Sequence, residues 1–214
     1  MRRLPCRPQR GFLWKSGAKS DTMISMERKV LYFEKAGKEN TAACMKVVKE
    51  AVAEGGYKHV VIDSTSGETG MLFSEALRGR GVNVVVVTHS SGFKEQNTLE
   101  LSPEMKKEIE LRGGRVYTGT ILTHSIETAF AAKFNGLYPT LVVAQALRRF
   151  GEGAKVCCEI VMMAVDAGLI PEGEEALAVG GTARGADCVT VIRAAASKRF
   201  FDLKVLEILA KPRV

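Results

Sequence analysis

The chain has 214 residues, 46% of them hydrophobic and 26% charged, with a formal net charge of +7. Those are the proportions of one ordinary globular domain with a sizeable core, and no run approaches the roughly 18 apolar residues needed to cross a bilayer. The charge is unevenly placed: residues 1–22 hold Arg2, Arg3, Arg7, Arg10, Lys15 and Lys19 against Asp21 alone, a net +5 that leaves +2 for the rest, so a basic patch that tracks nucleic acid is not expected.

Residues 1–22 are broken by Pro5, Pro8, Gly11 and Gly17 and show no clear amphipathic period. They read as a disordered basic tail or as sequence upstream of a start at Met23 or Met26, with an organellar transit peptide as the alternative. Residues 23–214 are then expected to form a single α/β domain. From Lys29 a strand runs to Phe33, followed by a helix over Thr41–Glu54 with Asn40 as its predicted N-cap. His59–Asp63 and Val82–Val87 are too apolar for a sheet with one wet face, and the helix Thr69–Arg78 lies between them. Ser102 with Pro103 opens a helix that stops at Gly113–Gly114, and Arg115–Thr118 is a fourth strand. Helices are expected over His124–Phe134, Thr140–Arg149 and Val156–Ala167. Strands at Ala176–Val179 and Val189–Ala194 then flank the glycine-rich GGTARGAD, and Phe201–Leu209 is extended or mixed. Repeated strand–helix–strand units imply a three-layer fold, a mostly parallel sheet with helices on both faces.

The five cysteines are odd in number and contain no CxxC, and His59, His89 and His124 are scattered. Reduced thiols in a cytoplasmic protein are therefore expected, and no metal site.

Ser64-Thr65-Ser66-Gly67-Glu68-Thr69-Gly70 follows a buried strand and opens a helix. In an open parallel sheet ligands sit beyond the strands' C-terminal ends, and a helix N-terminus there suits a phosphate. Gly67 and Gly70 allow close backbone approach, while Ser64, Ser66 and Thr69 supply hydroxyls. The loop holds no lysine and no P-loop spacing, so triphosphate hydrolysis is not expected. The other reading is a turn with an N-cap. Two further stretches belong to the candidate site. In the first, His89, Gly92 and Phe93 leave the next strand, with Phe93 available to stack on a flat ring or simply to cover the core. In the second, Gly181 and Arg184 lie in the late glycine-rich turn, Arg184 either pairing with phosphate or solvated. Glu159 and Asp166, seven residues apart in one helix, read either as buried acids or as its solvent stripe.

The loop at 64–69, the run VNVVVVTHSSG and the segment VGGTARGAD with the following VIR resemble the C-terminal α/β domain of pyruvate kinase. With GKENT at 37–41 and FFDLKVLEI after the glycine-rich loop, the stretch from about Val30 to Arg213 is similar to a family of small stand-alone proteins built on that domain. The resemblance implies that domain's fold without its catalytic barrel, hence no pyruvate kinase activity. Glu68 stands where the effector loop of pyruvate kinase has a basic residue, so fructose bisphosphate is not implied. The stand-alone family is associated with flavin mononucleotide, and the Ser-x-Ser-Gly-x-Thr form is also similar to the phosphate loop of flavodoxins. The expected ligand is thus a phosphate-bearing small molecule, with flavin mononucleotide (FMN) foremost. A phosphometabolite sensor, a flavin-dependent oxidoreductase and a plain interaction module are the alternatives. A homo-oligomer is the expected assembly.

Overall fold

The computed structural model describes residues 26–213; the basic segment 1–22 lies outside them. Its strands are β1 (Leu31–Phe33), β2 (His59–Asp63), β3 (Asn83–His89), β4 (Gly114–Gly119), β5 (Glu175–Gly180), β6 (Cys188–Arg193) and β7 (Lys204–Pro212). Its helices are α1 (Thr41–Glu54), α2 (Glu68–Leu77), α3 (Pro103–Leu111), α4 (Ile126–Phe134), α5 (Pro139–Leu147) and α6 (Glu152–Asp166). All seven strands form one sheet in the order β1-β7-β6-β5-β2-β3-β4. Pairs β1–β7, β5–β2, β2–β3 and β3–β4 are parallel, while β5–β6 and β6–β7 are antiparallel. The short glycine-rich connection after β5 forces the first reversal, because a parallel return needs a crossover of a dozen residues or more.

Alternation along the central strands sorts side chains into two cores. Val60, Ile62, Val84, Val86, Leu177 and Val179 face α1, α2 and α3. Val61, Val85, Val87, Ala176 and Ala178 face α6. Both sets are buried, which is why β2, β3 and β5 read as continuous apolar runs. From β2 the chain moves outward through β3 to β4, then returns under the opposite face through α4–α6 to insert β5 beside β2. Right-handed crossovers in opposite directions put the two helix layers on opposite faces.

The local signals held unevenly. Ser102 caps α3 as expected, its Oγ accepting from the Met105 N–H at 3.1 Å. Asn40 does not cap α1: a 3-10 turn at Lys38–Asn40 precedes the helix, and the Asn40 Nδ2 donates to the Lys35 carbonyl at 2.8 Å. Helix α6 begins at Glu152, a turn earlier than its apolar pattern indicated, and the last segment is a full strand. The hairpin of α4 and α5 rests lightly on the body, with Ile126, Phe130, Phe134 and Leu137 exposed.

Helix α2 packs against β3 through Gly70, where an added Cβ would lie 2.4 Å from the Val86 Cγ1. Val86 is β-branched and fully buried, so it cannot swing aside. Gly70→Ala is therefore expected to lower unfolding free energy by about 1–3 kcal/mol, the usual cost of overpacking. Denaturant titration, with the slope checked for constancy, measures it.

Candidate functional site

At the C-terminal edge of β2, β3 and β5 lies a cleft of about 240 Å³. Its wall includes Asp63 through Ser66, Glu68 and Thr69 from the β2–α2 connection, and His89 and Phe93 after β3. Ile121 and His124 after β4, Arg148, Glu152, Lys155 and Glu159 around the start of α6, and Gly181 and Arg184 after β5 complete it. Helix α6 is antiparallel to β5 in the crossover, so its N-terminus arrives at the edge where α2 begins. Two helix N-termini, one from each layer, thus flank a single cleft.

Of the residues singled out in the sequence, Ser64, Thr65, Ser66, Glu68, Thr69, His89, Phe93, Gly181 and Arg184 are brought together on this wall. Gly67, Gly70 and Gly92 are not. The left-handed Gly67 (φ 95°) turns its Cα toward Leu101 and Met105 of the α3 region. Gly70 is pressed on Val86, and Gly92 serves a turn in which its N–H donates to the Thr98 carbonyl. Ser64 is buried, and its Oγ accepts from the Gly70 N–H at 2.9 Å. The turn-and-cap reading therefore holds for this oxygen, though its hydroxyl hydrogen is still free to donate. Among the described residues Arg184 is exposed and has no carboxylate partner. Its neighbour Ala183 occupies the left-handed region (φ 64°), a conformation that costs a residue with a Cβ of order 1 kcal/mol or more. Asp187 holds that loop in place: it is fully buried, and its Oδ2 accepts from the N–H groups of Gly37 and Thr182 at 2.9 and 3.1 Å.

On the floor of the cleft the sequence pattern marked Glu159 but not the lysine that pairs with it. Lys155 and Glu159, both buried, pair at 2.5 Å between Nζ and Oε2, and Thr123 donates its hydroxyl to the other Glu159 oxygen. Arg148 pairs with Glu152 at 2.6 Å. The available signal was a cation and an acid four residues apart in an otherwise apolar helix, EGAKVCCEIVMM. Asp166, by contrast, is exposed and accepts from the Ser197 N–H, so only Glu159 of that pair is a buried acid. His124 has its pKa lowered, first by burial and then by the nearby Lys155 charge. With three cationic side chains facing four carboxyls on the wall, the cleft is not a positive funnel. An anion there would rely on hydroxyls and helix-terminal N–H groups.

Burial moves three thiols away from reactivity: Cys44 and Cys158 are pushed up to about 12, and Cys157 rises well above the ordinary thiol range. Among the described residues no cluster of three or more His, Cys, Asp or Glu side chains could hold a metal, and no helix is long and apolar enough to cross a membrane.

Asp63, at the end of β2, has its pKa raised from 3.8 to about 6. Desolvation is the largest cause, the His89 charge opposes it, Glu159 adds to it and Lys155 opposes it. The folded protein holds this proton more tightly than the unfolded chain does, so the carboxyl's contribution to stability falls as pH rises from about 4 to about 6. Asp63→Asn removes that slope. Its stability relative to the parent is expected to improve by ~2 kcal/mol between those pH values, read from denaturant midpoints at pH 4 and pH 7.

The family described as pyruvate kinase, alpha/beta domain, matches residues 41–192. A solved pyruvate kinase from Cryptosporidium parvum is similar at 16% identity over 72% of this chain and 22% of that one, with a TM-score of 0.39. O-ureido-L-serine synthase is similar at 17% identity over 67% of this chain and 51% of that one, with a TM-score of 0.29. The chain thus spans about a fifth of the pyruvate kinase and about half of the synthase. The family match runs from the first residue of α1 to within β6, taking in every cleft-lining segment. The chain belongs to the pyruvate kinase alpha/beta domain family.

Proposed function

We propose that this protein binds a phosphate-bearing small molecule in the cleft, and that the ligand is flavin mononucleotide. The observation that carries the reading is the meeting of the α2 and α6 N-termini at one strand edge, lined by the hydroxyls of Thr65, Ser66 and Thr69. First-turn N–H groups point outward without intrahelical partners and carry the positive end of the helix dipole. That donor set fits a phosphate held without a cationic cage, and Arg184 at the rim supplies a charge to the phosphate's solvent side. Phe93, whose ring lies 4.2 Å from that of His89 and 6.0 Å from that of His124, offers a face to a flat ring. Bound flavin would bring redox chemistry of its own; this chain's residues would seat the phosphate, orient the ring and keep water from the cleft floor.

The cleft volume supports a second reading. At about 240 Å³ it lies below the roughly 300–1,000 Å³ of pockets that enclose drug-sized ligands. A sugar phosphate, bound by a regulatory module without chemistry, would fill it more completely, whereas flavin would project its ring from the mouth. In either case the reading includes a cytoplasmic protein, in keeping with four buried free cysteines, and a homo-oligomer.

The purified protein is expected to show flavin absorption bands and to release a molecule of the mass of flavin mononucleotide on denaturation. A colourless protein that ignores added flavin, yet is stabilised by a sugar phosphate in thermal-shift measurements, would transfer the proposal to the second ligand class. Ser66→Ala and Thr69→Ala are each expected to weaken the ligand by about tenfold, the worth of one hydrogen bond to a charged group. Titration of each variant decides this, with unfolding stability measured in parallel. Unchanged affinity with lowered stability would reduce the loop to a helix cap.

A further inference from the structure

His89 ends β3 with both ring nitrogens engaged. Its Nδ1 lies 2.8 Å from the Glu100 Oε2, and its Nε2 lies 3.3 Å from the Thr65 Oγ1. An ionised carboxylate only accepts hydrogen bonds, so Nδ1 carries the ring proton. In the neutral ring Nε2 then has a lone pair aimed at the threonine, and the Thr65 hydroxyl is the donor. Hydroxyl, imidazole and carboxylate thus stand in the order nucleophile, base and orienting group, within the looser spacing usual before a substrate is bound.

The surroundings hold that order. The Ser64 N–H donates to the Val87 carbonyl at 3.0 Å, stitching the start of the loop to β3 and setting Thr65 opposite His89. The Phe93 ring packs on the imidazole. Thr65 lies between a strand and a helix, a placement that exposes a nucleophilic hydroxyl at a sheet edge in unrelated folds. Three residues further on, α2 begins. The Gly70 N–H is taken by Ser64 and the Met71 N–H by the Gly67 carbonyl, whereas among the described residues no acceptor takes the N–H groups of Glu68 and Thr69. They supply donors for a developing oxyanion.

We propose that Thr65, His89 and Glu100 form a catalytic chain that hydrolyses small carboxylic esters, an activity that does not require flavin in the cleft. The Thr65 Oγ bonds to the ester carbonyl carbon while its proton passes to the His89 Nε2. The bond from carbon to the leaving oxygen then breaks, and Nε2 returns the proton to the departing alcohol. Water reverses the sequence: it gives a proton to Nε2, its oxygen bonds to the acyl carbon, and the carbon–Oγ bond breaks as Oγ takes the proton back. Atoms and electrons balance without an oxidant, a metal or a cofactor. Glu100 acts through His89 and is a positioning residue.

The test uses p-nitrophenyl acetate with the full chain, following p-nitrophenol release by stopped flow and locating any acetyl group by peptide mass spectrometry. A burst stoichiometric with protein is expected, with the acetyl on Thr65. Thr65→Ala keeps His89 and Glu100, and so retains any background imidazole hydrolysis while losing the burst. Thr65→Ser retains the burst, which separates lost chemistry from lost folding. His89→Ala and Glu100→Gln are each expected to slow acylation by about 100-fold or more. A burst of the same size in Thr65→Ala, an acetyl found only on other residues, or no burst at all would overturn the proposal. A colourless protein that is still acetylated at Thr65 counts against the flavin reading alone, and a protein that shows no Thr65 adduct while free of flavin, yet binds flavin when it is added, counts against this one alone.

Discussion

Strand β5 enters the sheet between β2 and β6, after the chain has already laid down β3 and β4 on the far side of β2. The geometry of the cleft depends on that insertion. Because right-handed crossovers going opposite ways must use opposite faces, the insertion places α2 above the sheet and α6 below it. It also brings their N-termini to the same strand edge. A ligand crevice at the reversal of strand order is the general outcome for open α/β sheets. Here it is lined from both sides by helix starts rather than from one, and the β5–β6 connection closes it with Gly181, Ala183 and Arg184.

The cleft's electrostatics are those of paired charges. Lys155 could not be buried alone without neutralising, and Glu159 could not either; four residues apart on α6 they satisfy one another at 2.5 Å, with Thr123 closing the carboxylate's second oxygen. Arg148 and Glu152 repeat the device at the mouth. A pair of this kind contributes little net charge, so selectivity for the proposed ligand would fall to dipoles and hydroxyls whose directions are set by the backbone. Asp63, on the same wall, titrates above the ordinary carboxyl range, mainly because it is desolvated.

The fold was legible from the sequence because the apolar strands are buried on both faces and the breaks between elements carry glycine or proline. The family's features were legible for the same reason, since the loops at 64–70, 88–93 and 180–187 follow those strands. What sequence could not separate was two roles of glycine: Gly67 and Gly70 looked like room for a ligand and are room for Met105 and Val86. Asn40 had the right chemistry for a cap, yet a 3-10 turn took the residues before α1 and turned its amide toward Lys35. Lys155 escaped notice because a lysine in a helix normally points to water, and only the three-dimensional position of α6 buries it. Glu100, in a stretch without regular structure, had no periodicity to mark it.

The cleft's wall is drawn from segments between residues 63 and 185. During synthesis the chain therefore emerges with β2, α2 and β3 available early, while the glycine-rich rim follows only after α6 and β5. A ligand of the proposed kind could not template the early stages of folding, since the cleft does not exist until β5 has been threaded into place. A ligand of the proposed kind would then protect only finished molecules, by mass action on the native state. Partly made chains must rely on the β2–β3 pair and its helix alone, with the α6 face of that pair open to the ribosome's surroundings until α6 has been made.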